Sequence, residues 1–185
     1  MKKIIFILSA VVCICTVSCQ NNSQSSQSAV LLKEAAKDTD LNVSHKEYVV
    51  NVPAGWRETD TSLHGVTAYM LFAPKNGNGL QSSVNIINGN MQGLSLEDYA
   101  NANLTTLQSL PSFKELGEGY FETDAHVKAK WLHYSATMNG YNLDGILYII
   151  PIDGIAYDLT GACSLGSSDK YRKDFDAIAK SFHLK

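Results

Sequence analysis

Gly145-Ile146-Leu147-Tyr148-Ile149-Ile150-Pro151-Ile152 carries almost no polar side chain, and this continuity decides the fold. Successive side chains of a strand point to opposite faces, so a strand with one face in water alternates apolar and polar residues. From Ile146 to Ile150 there is no alternation. Both faces of this strand are therefore covered. Asn139-Gly140 before it and Asp153-Gly154 after it are tight-turn signals, so Val127 to Met138 and Ile155 to Ser164 return beside it as antiparallel strands. Lys114 to Thr123 adds another. Further upstream, Tyr48 to Val52, Thr67 to Ala73 and Ser82 to Asn88 are β-rich, closed by Pro53-Ala54-Gly55, by Pro74 with Asn76-Gly77-Asn78-Gly79, and by Asn88-Gly89.

The two covers are helices. Ser95, followed three residues later by Asp98, has capping-box spacing, and Leu96, Tyr99, Ala100, Leu104, Leu107 and Leu110 recur at helical intervals. A second helix starts near Asp169 with Tyr171, Phe175, Ile178 and Phe182 on one stripe, and Ser167, Ser168 and Asp169 as capping candidates. The expected class is α+β: an α/β/α sandwich with a mainly antiparallel sheet of six or seven strands and helices on both faces, occupying residues 45–185.

The N-terminal part reads differently. Met1, Lys2 and Lys3 precede an apolar run from Ile4 to Val17, broken by Ser9 and Thr16, which is the layout of a signal peptide over residues 1–18 and too short for a spanning helix. Thr16-Val17-Ser18-Cys19 resembles the lipobox of bacterial lipoproteins, with Thr16 standing where Leu is usual. Cys19 is then the expected lipidation site, and attachment to the membrane goes through that lipid; the alternative is ordinary cleavage near Ser18, which leaves Cys19 a free thiol. Residues 19–44 form the lipidated N-terminus and a tether, whose Gln20–Ser28 tract has nothing to bury and a reach of about 15–20 Å. Within this segment, Val30, Leu31, Ala35 and Ala36 fall partly on one side of a short lead-in helix expected over Ala29–Asp38. Removing Lys2 and Lys3 takes the formal charge from −3 to −5, and a mildly acidic chain without Lys/Arg clusters excludes nucleic acid as a partner. Cys13 and Cys15 leave with the signal, so Cys163 alone remains in the domain and no internal disulfide forms. Its apolar setting marks it as a buried thiol.

Tyr48-Val49-Val50-Asn51-Val52-Pro53-Ala54-Gly55-Trp56 resembles the opening strand and P-x-G-W turn of the Mog1/PsbP-like family, which includes the PsbP proteins, Mog1 and DcrB-like bacterial lipoproteins. The element order from there to Ile178, Ser181 and Phe182 is similar as well. The resemblance implies an α/β/α sandwich and little about activity, because members of the fold serve unrelated partners. It implies no functional residue: Pro53, Gly55 and Trp56 turn the chain and fill the core.

The search for chemistry returns no catalytic, cofactor-binding or metal-binding residue. His45, His64, His126, His133 and His183 lack the spacing of a zinc site, and the odd separation of His126 and His133 puts them on opposite faces of a regular strand. Gly161-Ala162-Cys163-Ser164-Leu165-Gly166 lacks the nucleophile-elbow spacing. Asp144, Asp153 and Asp158 read as solvated acids beside turns. The aromatics are mostly core, with some at a recognition surface. The expected function is that of an exported, lipid-anchored, non-enzymatic envelope protein that binds or assembles an unknown protein or envelope component, without a cofactor. The resemblance to bacterial lipoproteins implies, by the sorting rule of the enteric ones, that Gln20 rather than Asp after Cys19 sends the protein to the outer membrane, and the expected exposure is to the periplasm. The alternative is a small-ligand-binding protein or an enzyme whose site is scattered along the chain.

Overall fold

The structure is a computed structural model and describes residues 47–63, 66–76 and 79–185. Cys19, the signal segment, the tether, His45, His64 and part of the Asn76–Gly79 turn lie outside the described residues. Seven strands form one antiparallel sheet: β2 (Arg57–Leu63), β3 (Val66–Phe72), β4 (Ser83–Asn90), β5 (Lys114–Glu122), β6 (Lys128–Met138), β7 (Tyr141–Ile152) and β8 (Ile155–Ser164). Their spatial order is β2-β3-β4-β8-β7-β6-β5. Helix α1 (Leu96–Leu107) joins β4 to β5, and α2 (Ser168–Lys180) follows β8. Two short strands, β1 (Tyr48–Val49) and β9 (His183–Leu184), pair with each other apart from the main sheet. The expected class and strand number hold.

The central strand behaves as its sequence demands. Leu143 through Ile150 are all buried on β7. Ile146, Tyr148 and Ile150 enter the core under α2, with Phe175, Ile178 and Phe182. Leu147 and Ile149 enter the core under α1, with Tyr99, Ala100 and Leu107. Each fully buried Ile or Leu here contributes about 1.5–3 kcal/mol. Both hairpin turns flanking β7 have two consecutive positive-φ residues, Asn139 (50°) with Gly140 (79°) and Asp153 (50°) with Gly154 (78°). That is the type I′ geometry whose twist suits adjacent strands. Ser95 caps α1 as expected, its Oγ accepting from the Asp98 backbone N–H at 3.1 Å. Gly55, at φ 80°, closes the Pro53–Trp56 turn, and Trp56 packs edge-on against Phe175.

Several expectations are corrected. The opening strand stops at Val49 because β9, its partner among the described residues, is two residues long. Strand β2 is an addition to the expected strands: Arg57-Glu58-Thr59-Asp60-Thr61 is polar and carries no apolar alternation, as suits a sheet edge. Asn88-Gly89 is no turn: Gly89 pairs with Ala156 inside β4. A Cβ on Gly89 would sit 2.9 Å from the Tyr99 hydroxyl, so glycine there admits α1 rather than bending the chain. Ser167 stands at the N-cap of α2 but makes no side-chain cap bond; Asp169 in the first turn instead places negative charge at the helix N-terminus.

The acids of the last hairpin are corrected too. Asp153 is exposed in its turn, whereas Asp144 and Asp158 are buried. Asp144 Oδ2 accepts the Gly166 backbone N–H at 2.8 Å, which fixes the exit of β8 toward α2. Asp158 faces α1, where Tyr99 Oη donates to its Oδ2 at 3.0 Å while its Oδ1 has no hydrogen-bond partner. Burial pushes the Asp158 carboxyl up to about 7, against the pull of the Tyr99 hydroxyl. The unfolded chain loses this proton near pH 4 and the folded chain near 7, so the folded state binds more protons in that window and stability falls as pH rises through it.

Two outcomes test this account. Gly161→Ala places a Cβ within 2.7 Å of the Phe175 ring, so it should cost about 1–3 kcal/mol in urea unfolding, while Leu116→Ala on the exposed edge stays within about 0.5 kcal/mol. Asp158→Asn should remove the decline of stability between pH 5 and 7. The difference between the wild-type and variant urea midpoints, measured across that range, isolates this carboxyl; parallel curves would exclude it.

Candidate functional site

On the α2 face the sheet does not end flush with the helix. Arg172, Asp176 and Lys180 are spaced four apart and share one stripe of α2. They face Phe121, Trp131 and Tyr148 of three neighbouring strands across an open groove of about 200 Å3. The opposite stripe of α2, with Phe175, Ile178 and Ala179, is buried in the core, so the groove residues are held by a helix that has no freedom to roll.

The floor depends on two glycines. In the edge strand β5, Gly119 pairs with Trp131, and a Cβ there would meet indole atoms at 2.9–3.0 Å. Gly117, at φ 155° beside a register shift after Glu115, is also near the ring: a Cβ there would stand 3.7 Å from it. The Trp131 indole thus rests on bare strand backbone, which is the use of glycine inside a strand. Over its other side the Arg172 guanidinium sits 4.5 Å from the ring centroid, a cation–π contact. Phe121 meets Tyr148 edge-on with ring centroids 5.7 Å apart.

A small polar network fixes the wall. Tyr148 Oη donates to Asp176 Oδ1 at 2.6 Å, and Arg172 Nε donates to the same oxygen at 2.8 Å. Burial, then the bond to Asp176, pushes the Tyr148 hydroxyl far above its ordinary range, so it stays a donor. His133, on the same face of β6, has a buried Nε2 without a hydrogen-bond partner. Burial first and Arg172 second pull its imidazole down, with Asp144 and Asp169 opposing, so it is neutral near pH 7. At the far end of α2, the Asp124 backbone N–H bonds the Lys180 carbonyl at 2.7 Å and pins the β5–β6 turn to the helix.

The opposite face of β6 holds a second charged cluster. Lys130, with 1% of its side chain exposed, reaches Glu97 Oε1 of α1 at 2.8 Å and Glu118 Oε2 of β5 at 3.0 Å, and lies over the Tyr120 ring, whose hydroxyl bonds Glu97. Burial opposes the Lys130 charge, but the two carboxylates outweigh it and raise the ammonium above its usual range. With two carboxylates around one ammonium and its donors aimed at both, this cluster docks α1 on β5 and β6.

The residues singled out from sequence are not brought together. His126 lies in the β5–β6 turn at φ 61°, beyond the strand, with Nδ1 2.7 Å from Glu122 Oε1; this corrects its placement on the strand with His133. Cys163 is buried, and burial pushes its thiol up to about 12. Among the described residues no three His, Cys, Asp or Glu side chains converge on a point that could hold a metal, and no helix is long and apolar enough to cross a membrane. Sequence reasoning missed the groove. Its signals were Gly117-x-Gly119 inside a strand and Arg172-x3-Asp176-x3-Lys180 on the polar side of a helix.

No family model and no curated protein matches the chain. Solved structures do. LpqN of Mycobacterium tuberculosis, described as involved in cell envelope biogenesis, is 15% identical, with a TM-score of 0.57 over 75% of this chain and 83% of that one. The cyanobacterial PsbP, CyanoP, of Synechocystis is 14% identical, with a TM-score of 0.56 over 77% of this chain and 90% of that one. A Pseudomonas aeruginosa protein of unknown function, PA94, is 17% identical, with a TM-score of 0.55 over 67% of this chain and 94% of that one. At such identity the likeness speaks for architecture, and in architecture the chain has the PsbP/Mog1-like fold expected from its opening strand and P-x-G-W turn.

Proposed function

We propose that this chain is an exported envelope protein whose sandwich domain binds or assembles a protein partner through the α2 groove, and that it catalyses no reaction. The observation that carries the reading is the groove itself. A half-buried Trp131 stacked under Arg172, beside Phe121 and Tyr148, is the residue chemistry in which interface hot spots are concentrated. At about 200 Å3 the groove is smaller than the usual 300–1,000 Å3 of small-molecule sites, which favours a side-chain anchor from a larger partner over a whole metabolite. LpqN, of the same fold and described as an envelope biogenesis protein, supports a role of this kind.

Attachment belongs to the same proposal. Residues 1–18 act as a signal peptide, Cys19 carries lipid, and residues 19–44 let the domain stand off an outer membrane on its periplasmic side, in the manner of the DcrB-like lipoproteins. Mass spectrometry of the mature N-terminus is expected to find Cys19 with a diacylglyceryl modification; an unmodified Cys19, or cleavage elsewhere, removes the anchor. For the groove, a photo-crosslinking residue at position 180 in intact cells should yield one discrete protein adduct that disappears with Trp131→Ala. The same residue at position 173, also on α2 but outside the groove lining, serves as the control. Equal adducts from both positions would remove the groove from the function.

A further inference from the structure

Resting on that reading, the geometry points to the ligand class: the groove takes an acidic peptide segment, with a carboxylate on Arg172 and an adjacent aromatic or aliphatic side chain against Phe121 and the ring edge of Trp131 that Gly119 and Arg172 leave uncovered. Three observations converge. First, the guanidinium of Arg172 uses only Nε internally, on Asp176, and is held flat over the indole. Its remaining N–H donors form the planar fork that suits a carboxylate, and they have no partner among the described residues. Second, Asp176 receives Tyr148 and Arg172 on Oδ1 alone, so its other oxygen is open as an acceptor. Donor and acceptor therefore stand side by side, and the group that complements both is a carboxylate next to an amide N–H. Third, Lys180 shares the groove and makes no ion pair among the described residues. With Arg172 against Asp176, it leaves the groove one net positive charge, the complement of a single carboxylate rather than a phosphate dianion.

A peptide has all three complementary parts within two residues: a carboxylate, a backbone N–H and an apolar side chain. An anionic lipid headgroup or a free phosphate offers the anion but not the neighbouring apolar side chain that the aromatic floor accepts. A groove of this volume holds one such anchor, so affinity for an isolated dipeptide is modest, with a dissociation constant on the order of 0.1–1 mM.

The test uses the full chain in nonionic micelles and follows the Trp131 indole N–H resonance. The probe is the blocked dipeptide N-acetyl-Phe-Glu-amide, compared with its Phe-Gln counterpart, inorganic phosphate and micelles doped with phosphatidylglycerol. Saturable shifts are expected with the Glu peptide, weakened at least tenfold for the Gln peptide and for Arg172→Gln, and several-fold for Arg172→Lys, which keeps the charge and loses the fork. Lys180→Met, an exposed helix position that leaves the core untouched, should weaken binding about threefold and keeps the proposal testable if the Arg172 variants fail to fold. An unmoved resonance at 10 mM Glu peptide, equal binding of the Gln peptide, unchanged affinity in Lys180→Met, or saturable shifts from phosphate or phosphatidylglycerol without the peptide would each overturn the assignment. A Trp131-dependent adduct at position 180 combined with such a negative titration would leave the groove as a partner site and remove only the acidic-peptide identity.

Discussion

Everything in this domain is arranged around the fact that β7 has no face to give to water. Leu143 through Ile150 are buried without interruption, and a strand of that kind is stable only between two layers. The helices answer this demand from opposite sides: α1 through Tyr99, Ala100 and Leu107, and α2 through Phe175, Ile178 and Ala179. The type I′ turns at each end of β7 then bring β6 and β8 alongside. The outer strands satisfy the remaining backbone groups and face progressively more solvent, ending in the polar β2 and the glycine-bearing β5.

The two layers differ in how they are fastened. The interface with α2 is aromatic and aliphatic, and its polar contacts lie at the rim, where Asp176 gathers Tyr148 and Arg172. The interface with α1 contains buried polar groups: Asp158 beneath Tyr99, and Lys130 between Glu97 and Glu118. A buried charge is favourable only when its partners are well aimed. Lys130 meets that condition and locks α1 in register; Asp158 has one oxygen bonded and one not, so it is more stable there with a proton. One helix is held by shape and the other by matched donors and acceptors as well.

Most of the architecture was legible in the sequence because periodicity records burial directly. The unbroken run at Ile146–Ile150, the Ser95 cap and the Asn139-Gly140 and Asp153-Gly154 turns each have a local physical meaning that the structure repeats. The errors fall where a residue's role is set by something distant. Gly89 reads as a turn until Tyr99 is seen above it, and Asp144 and Asp158 read as solvated until their strands are placed in the middle of the sheet. The groove lay beyond reach for the same reason. Its seven lining residues come from four elements, and indole and guanidinium meet through the packing of α2 over the β5–β6 register that sets Gly119 against Trp131.

The small β1–β9 pair has a mechanical meaning. It joins Tyr48 to Leu184 and Val49 to His183. The Lys185 backbone N–H bonds the Glu47 carbonyl at 3.0 Å, and the Asn51 N–H bonds Ser181 Oγ at 2.8 Å. The two ends of the domain are thus buckled together by a handful of hydrogen bonds, while the seven-stranded sheet lies behind them. The Tyr48–Phe182 stack lies beside this clasp. No ladder of the seven-stranded sheet passes through the clasp, so parting it costs a few hydrogen bonds and the cover over Tyr48 and Phe182, while every strand pair from β2 to β5 keeps its partner.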